Sequence, residues 1–330
     1  MTFYIILSFS TFFISLIGTR LVILALRNKV VAPDVNLLTG KRKATLPTDG
    51  GIALVFAVIS GFLAVEVNYN IIAAIFLLMG LPLLRSVLPF PRTIKLLARL
   101  AVVVISLGVF SQPILSEFLL PLLDKSLAVF LWLWVIHSFE KLEVVEGLMP
   151  VQMISIGVGI YAINILSGTF FSPLSIQALI IATSGMGFLW WNYHPAKVLA
   201  GEIASVPVGF IAGYLLLLAA HNGYLAEALI IPAYFLSDSF ITFFNRPFSE
   251  KFATQQESKT RPPYCMRAIK NSNSPQWIVR TITGINMFLI FLATQALLYP
   301  EMAVFNVTVA YSMTFALVFV FARIKNKTVL

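Results

Sequence analysis

The chain has 330 residues, 59% of them hydrophobic and only 11% charged, with a mean hydropathy of +0.91 and a formal net charge of +9. A soluble domain of ordinary composition carries about 25% charged residues, so this chain lacks the polar surface that a water-soluble fold of its size would need. The composition predicts an all-α, polytopic integral membrane protein, a single transmembrane domain over residues 1–330. The lone Cys265 excludes an internal disulfide.

The first apolar run, "FYIILSFSTFFISLIGTRLVILAL", begins without a basic stretch and lacks a small-residue cleavage pattern, so it reads as a retained first helix. Apolar runs set against breakers then predict eleven membrane-spanning helices, near 3–26, 50–68, 71–88, 94–111, 118–136, 151–166, 176–190, 205–220, 225–243, 279–299 and 302–322. Almost every Lys and Arg falls in or beside the loops at about 27–49, 85–95, 137–150, 191–204 and 244–278 and in the C-terminal tail. The alternate loops offer Lys125 as their only clear cation. The positive-inside rule therefore predicts that the basic loops and the C-terminus are cytoplasmic and the N-terminus lies outside. This topology, with some attraction to anionic lipid, accounts for the net charge; no nucleic-acid-binding pattern accompanies it. Every unusual polar cluster falls on the same side, as expected of a membrane enzyme with one active face. A transporter more often carries such features near the bilayer midplane.

The first basic loop ends "KRKATLPTDGGIALVFAV". Its Pro-Thr turn brings the bare amides of Gly50 and Gly51 to a helix start beside Lys43, which suits phosphate; an ordinary turn capping the second span is the other reading. The second loop, with Arg85, Arg92, Lys95 and Arg99, reads as a basic collar. The third, "HSFEKLEVVEGL", would if helical place Glu140, Glu143 and Glu146 within a ~120° arc. Three carboxylates there repel one another unless a cation intervenes. Lys141, a substrate-borne counter-charge or a divalent ion could serve, and Mg²⁺ accepts carboxylate and phosphate oxygens in such sites. A solvated turn is the alternative. The fourth, "GFLWWNYHPAKVLAGEIASVPVGF", supplies Asn192, Lys197, Glu202 and Ser205 after an aromatic run, with His194 read as an interfacial residue. The fifth opens with Asp238 inside an apolar span, eight residues before Arg246. An acid at that depth is expensive and usually functional, although a structural pair with a neighbouring helix also fits.

Taken together, the loops resemble the polyprenyl-phosphate N-acetylhexosamine-1-phosphate transferases (glycosyltransferase family 4), in order from about residue 34 to 280. The family's Pro-Thr-x-Gly-Gly is matched by Pro47, Thr48, Gly50 and Gly51. Its Asn-x-x-Asn-x-x-Asp-Gly-x-Asp-Gly-Leu loop falls on His137, Glu140, Glu143, Val144, Glu146, Gly147 and Leu148. Its Asn-x-x-Pro-Ala-Lys-x-x-x-Gly-Asp-x-Gly-Ser loop falls on Asn192, Pro195, Ala196, Lys197, Gly201, Glu202, Ala204 and Ser205, the strongest match. Its Asp…Arg pair corresponds to Asp238 and Arg246.

The resemblance implies attack of a polyprenyl phosphate, such as undecaprenyl phosphate, on the β-phosphate of a UDP-sugar, with UMP leaving, Mg²⁺ on the diphosphate and a multi-pass protein of the inner (plasma) membrane. It implies Glu202 as the main metal ligand, and Glu143, Glu146 and Asp238 as the acids of the catalytic centre. Lys43, Gly50, Gly51, Glu140, Asn192, Lys197, Arg246 and Arg261 would hold nucleotide or phosphate. The family's Asp-Asp pair, however, falls near Leu83-Leu84, and its histidine motif falls on Thr260, Arg261, Pro262 and Pro263. Two family readings therefore stand: a transferase with altered chemistry, or a catalytically silent relative that binds lipid phosphate or a partner enzyme. An unrelated transporter or scaffold is the reading if the basic loops do not converge. A homodimer is left open.

Overall fold

The computed structural model describes residues 2–26, 46–85, 91–110, 113–116, 118–244, 264–272 and 275–324. Among the described residues the secondary structure is helical, without strands. In chain order the helices are α1 (Thr2–Leu26), α2 (Ile52–Ala64), α3 (Tyr69–Arg85), α4 (Arg92–Ser106), α5 (Pro121–Leu142), α6 (Leu148–Leu166) and α7 (Pro173–Asn192). They continue with α8 (Glu202–His221), α9 (Leu225–Ile230), α10 (Ala233–Phe244), α11 (Tyr264–Ser272), α12 (Pro275–Leu298) and α13 (Ala303–Arg323). Each of the eleven predicted segments contains a helix. By length and composition, seven among the described residues can cross a membrane: α1, α5, α6, α7, α8, α12, and α13 with the turn before it.

The other segments differ from the sequence reading for local reasons. Helices α2 and α4 have 13 and 15 residues, or about 20 and 22 Å at 1.5 Å per residue, short of a ~30 Å hydrocarbon core. The predicted ninth span is two helices, because Pro232 stands between α9 and α10. Proline has no N–H to donate and its ring crowds the preceding turn, so a continuous helix breaks there.

Helix α8 is the centre of the bundle: 94% of its most apolar window is buried. It packs on α5, α3 and α9. The contact with α5 is close because Gly213 leaves room for Trp132, whose ring would lie 2.3 Å from an added Cβ. The Trp132 indole N–H donates to the Phe210 carbonyl at 2.8 Å, and its ring stacks on Phe210. Helix α1 sits at the rim. Its buried residues Thr11, Ser15 and Thr19 recur every four positions and face α7 and α2, the small-residue stripe by which helices approach in lipid. Thr11 and Thr183 share a hydroxyl hydrogen bond of 2.8 Å. On the outer face, Phe9, Ile17 and Leu21 are exposed, as a lipid-facing surface requires.

Asp124 organises the end of the bundle where α5 begins. Its carboxylate accepts the backbone N–H groups of Ile114, Leu115 and Ser116 at 2.7, 2.8 and 3.2 Å. These bonds secure the chain that leads from α4 into α5. The opposite end, where α5 and α7 finish and α2, α4 and α8 start, carries the charge.

Candidate functional site

The site is built by short connections that run between helix ends. Gly50 N–H donates to the Leu199 carbonyl at 3.0 Å and Gly51 N–H to that of Ala200 at 3.1 Å, while Leu199 N–H returns to Pro47 at 3.0 Å. This three-bond ladder ties the start of α2 to the segment between α7 and α8. The Gly50 and Gly51 amides, expected to face phosphate, are thus engaged with backbone carbonyls. Between them and α8 lies Asp49, held at φ 70°, a left-handed conformation that Asp adopts more readily than most residues. Its side chain lies against Gly201.

The three glutamates of the third loop do not share a helix face. Helix α5 ends at Leu142, and Glu143 is its C-cap residue. The chain turns through Gly147, at φ 80°, into α6. The three carboxylates have different partners. Glu140, still on α5, is bidentate to Arg99, with contacts of 2.7 and 2.9 Å. Glu143 accepts the Gly201 N–H at 2.9 Å. Glu146 meets His194 Nδ1 and accepts the Ala196 N–H at 3.1 Å. Glu202, at the first turn of α8, pairs with Lys95 and lies 3.2 Å from Arg99. The four side chains of these α4–α5–α8 pairs are mostly buried, Arg99 being 12% and Glu202 25% exposed.

Asp49, Glu140, Glu143 and Glu202 interact electrostatically as one cluster. Burial pushes the Glu143 carboxyl up to about 7; the Gly201 N–H opposes the rise, and the charges of Asp49, Glu140 and Glu202 add to it. Burial likewise raises Asp49; its bond from Thr48 opposes this, and Glu202 adds to it. A carboxyl that titrates near neutrality in a cluster of acids has the properties of a group able to hold or release a proton.

Asn192 holds the frame beneath this cluster. Buried at the end of α7, it accepts the Gly147 N–H at 2.9 Å and donates to the Val198 carbonyl at 2.8 Å. The Lys197 ammonium lies over the Trp191 ring, 4.9 Å from its centroid, with the Arg20 guanidinium 5.3 Å from the same ring. Asp238, buried in α10, accepts the Tyr264 N–H at 2.9 Å and so anchors the first residue of α11. Lys141 is near enough to act on Asp238 electrostatically. Lys43, Arg246 and Arg261 lie outside the described residues.

The basic loops therefore converge. Four of the five supply residues to one charged cluster, and Asp238 of α10, next in the chain before the fifth, lies within electrostatic reach of Lys141 at the end of α5. Sequence reasoning missed Asp49, the undefined residue of a Gly-Gly motif, and gave Lys95 and Arg99 no partner. It also gave His194 no partner, because only the fold brings Glu146 to it. The spacing of Lys95 and Arg99, one helical turn apart at the start of an apolar segment, was the available signal for a cationic face.

The donor set does not read as a Mg²⁺ cage. Mg²⁺ takes oxygen ligands in near-ideal octahedral geometry, whereas Glu202, Glu140, Glu143 and Glu146 are each held by a cation, a histidine or an amide of the chain. Among the described residues, no group of three or more His, Cys, Asp or Glu side chains is arranged to hold a metal ion.

Residues 69–220 match the family model described as glycosyl transferase family 4. A curated relative, a probable undecaprenyl-phosphate N-acetylglucosaminyl 1-phosphate transferase of Bacillus subtilis, is 28% identical over 201 residues. That similarity covers 57% of this chain and 55% of the relative, so the chain spans little more than half the length of the protein it matches.

Proposed function

Starting from the match of residues 69–220 to the glycosyl transferase family 4 model, we propose that the chain moves a sugar-1-phosphate from a UDP-sugar to a polyprenyl phosphate such as undecaprenyl phosphate. A lipid phosphate oxygen attacks the β-phosphorus of the donor. One P–O bond forms, the bridging P–O bond to UMP breaks, and UMP leaves with the electron pair. The setting is the cytoplasmic face of the inner membrane, in cell-wall or surface-polysaccharide synthesis. The observation that carries this reading is the convergence of four basic loops on one charged cluster at one end of an apolar bundle. An amphiphilic acceptor needs such an arrangement, with its chain among lipid-facing helices and its phosphate at the helix ends. Catalysis of phosphoryl transfer rests mainly on positioning and charge neutralisation. The paired Arg99 and Lys95 supply positive charge, and Glu143 supplies a group that titrates near neutrality.

A catalytically silent relative is the second reading. It is favoured by one observation: Glu140 and Glu202 are already charge-balanced by Arg99 and Lys95. The two are separated by supplying purified protein with undecaprenyl phosphate and a panel of radiolabelled UDP-sugars, with and without Mg²⁺. Labelled lipid that is lost in Glu202→Ala supports the transferase. No lipid product and no UMP exchange with any donor overturns it.

A further inference from the structure

Two of the cluster's four carboxylates, Glu140 and Glu202, are already paired with cations, and both cations come from a single helix. Arg99 spans Glu140 of α5 and Glu202 of α8, with contacts of 2.7, 2.9 and 3.2 Å, and Lys95 one turn earlier holds the same Glu202 oxygen. A cation bridging two carboxylates from two helices is what a divalent ion would be at this position. The geometry is also that of a designed clasp, since a planar guanidinium in bidentate contact is the strongest and most directional cationic partner for a carboxylate. Bringing a dication to Glu202 would displace both side chains and strand two half-buried cations, and breaking such pairs from one side is strongly unfavourable. The neighbouring wall points the same way. The small cleft at Lys95, Arg99 and Glu202 is closed by Leu78, Leu81 and Pro82 of α3, and the next residues of that helix, Leu83 and Leu84, bring no carboxylate that could complete an octahedral site.

We propose that Arg99, with Lys95 beside it, takes the place of a divalent cation in this cluster, so that the site binds no Mg²⁺ and holds its nucleotide ligand without one. The role of the nucleotide rests on the transferase reading; the exclusion of the ion does not.

The test is direct titration of the purified full chain with Mn²⁺ as the probe ion, followed by electron paramagnetic resonance, in parallel with UDP-GlcNAc binding in the presence of EDTA. The wild-type protein should show no stoichiometric Mn²⁺ site that Glu202→Gln removes. Arg99→Gln, which leaves a shorter, polar, uncharged side chain, should create one or tighten binding by on the order of tenfold or more, because a positive charge a few ångströms from a dication repels it strongly in a half-buried setting. UDP-GlcNAc affinity should be unchanged by EDTA. A wild-type Mn²⁺ site dependent on Glu202, or nucleotide binding abolished by EDTA and restored by Mg²⁺, overturns the proposal. So does a folded Arg99→Gln protein that still binds no Mn²⁺, since the cluster then has no cation position for Arg99 to fill. If Arg99→Gln does not fold, Lys95→Gln is read by the same criterion. If UDP-GlcNAc fails to bind under every condition, the transferase reading falls and the Mn²⁺ titrations still decide the inference.

Discussion

Two glycines at the charged end have the same φ of 80° and very different surroundings, and alanine at each gives a sharp test of the architecture. Gly147 has ψ −14°, a left-handed conformation, and an added Cβ would find its nearest neighbour, Tyr193 Cδ2, at 3.5 Å, an ordinary contact. Gly147→Ala therefore incurs only the backbone term, about 1–2 kcal/mol. Gly201 has ψ 161°, in a region that is essentially reserved for glycine. An added Cβ there would meet Asp49 Oδ1 at 2.1 Å and the Asp49 Cα and N at 2.8 Å. The side-chain atom can swing away, but the backbone atoms belong to the strained turn paired with residues 199–200. Gly201→Ala must therefore shift that turn and pull its own N–H from Glu143. A cost of about 3–5 kcal/mol follows from adding backbone strain to a lost charge-assisted hydrogen bond. The measurement is thermal unfolding in detergent followed by tryptophan fluorescence. With about 2–4 °C per kcal/mol as the scale for a large domain, Gly147→Ala should lose a few degrees and Gly201→Ala roughly three times as much. Gly201→Ala should also weaken UDP-sugar binding, because Asp49, Glu143 and Glu202 all border the moved turn. Equal shifts for the two variants would refute the proposed contact between the 47–51 turn and the start of α8.

Glu143 should make stability depend on pH. Its folded value of about 7 lies above the ordinary carboxyl value of 4.5, so the stability tied to its protonated form is full below pH 4.5 and is lost as pH rises through 7. The ceiling is about 3 kcal/mol; Glu143→Gln should raise the unfolding temperature at pH 8, leave it near wild type at pH 4.5 to 5, and flatten the profile between. A variant no more stable than wild type at pH 8 would refute the buried, acid-crowded setting. Asn192→Ala should strand the Gly147 N–H and the Val198 carbonyl, both buried, and cost about 2–5 kcal/mol, read by the same unfolding assay. A loss under 1 kcal/mol would mean that the two segments are held together by other contacts.

The apolar segments were legible because a bilayer imposes a simple rule: a run of about twenty apolar residues buries its own backbone hydrogen bonds and must be helical. The rule loses its force where a segment is interrupted or short. It carried one predicted helix through Pro232, where the chain breaks into α9 and α10, and it treated α2 and α4 as full spans. Within the site, Glu140, Glu143, Glu146, Asn192 and Glu202 stood out as polar residues in an apolar chain. Most of their partners did not stand out, because the pairs that join different elements link residues from 41 to 107 positions apart. The placement of three glutamates on a common arc failed for a local reason. Helix α5 stops at Leu142, and the turn toward Gly147 carries Glu146 away from Glu140 to His194. Asp49 was the least legible. Nothing in its neighbours marks it, and its position depends on a backbone ladder formed with residues 150 positions away.

The bond from Tyr264 N–H to Asp238 joins residues 26 positions apart, and it fixes both ends of the intervening stretch against the body of the bundle. The entropic cost of closing such a loop grows only logarithmically with its length, by about 0.6 kcal/mol for each doubling. The chain length between the two anchors therefore weighs little on where α11 begins, and the hydrogen bond to Asp238 weighs more.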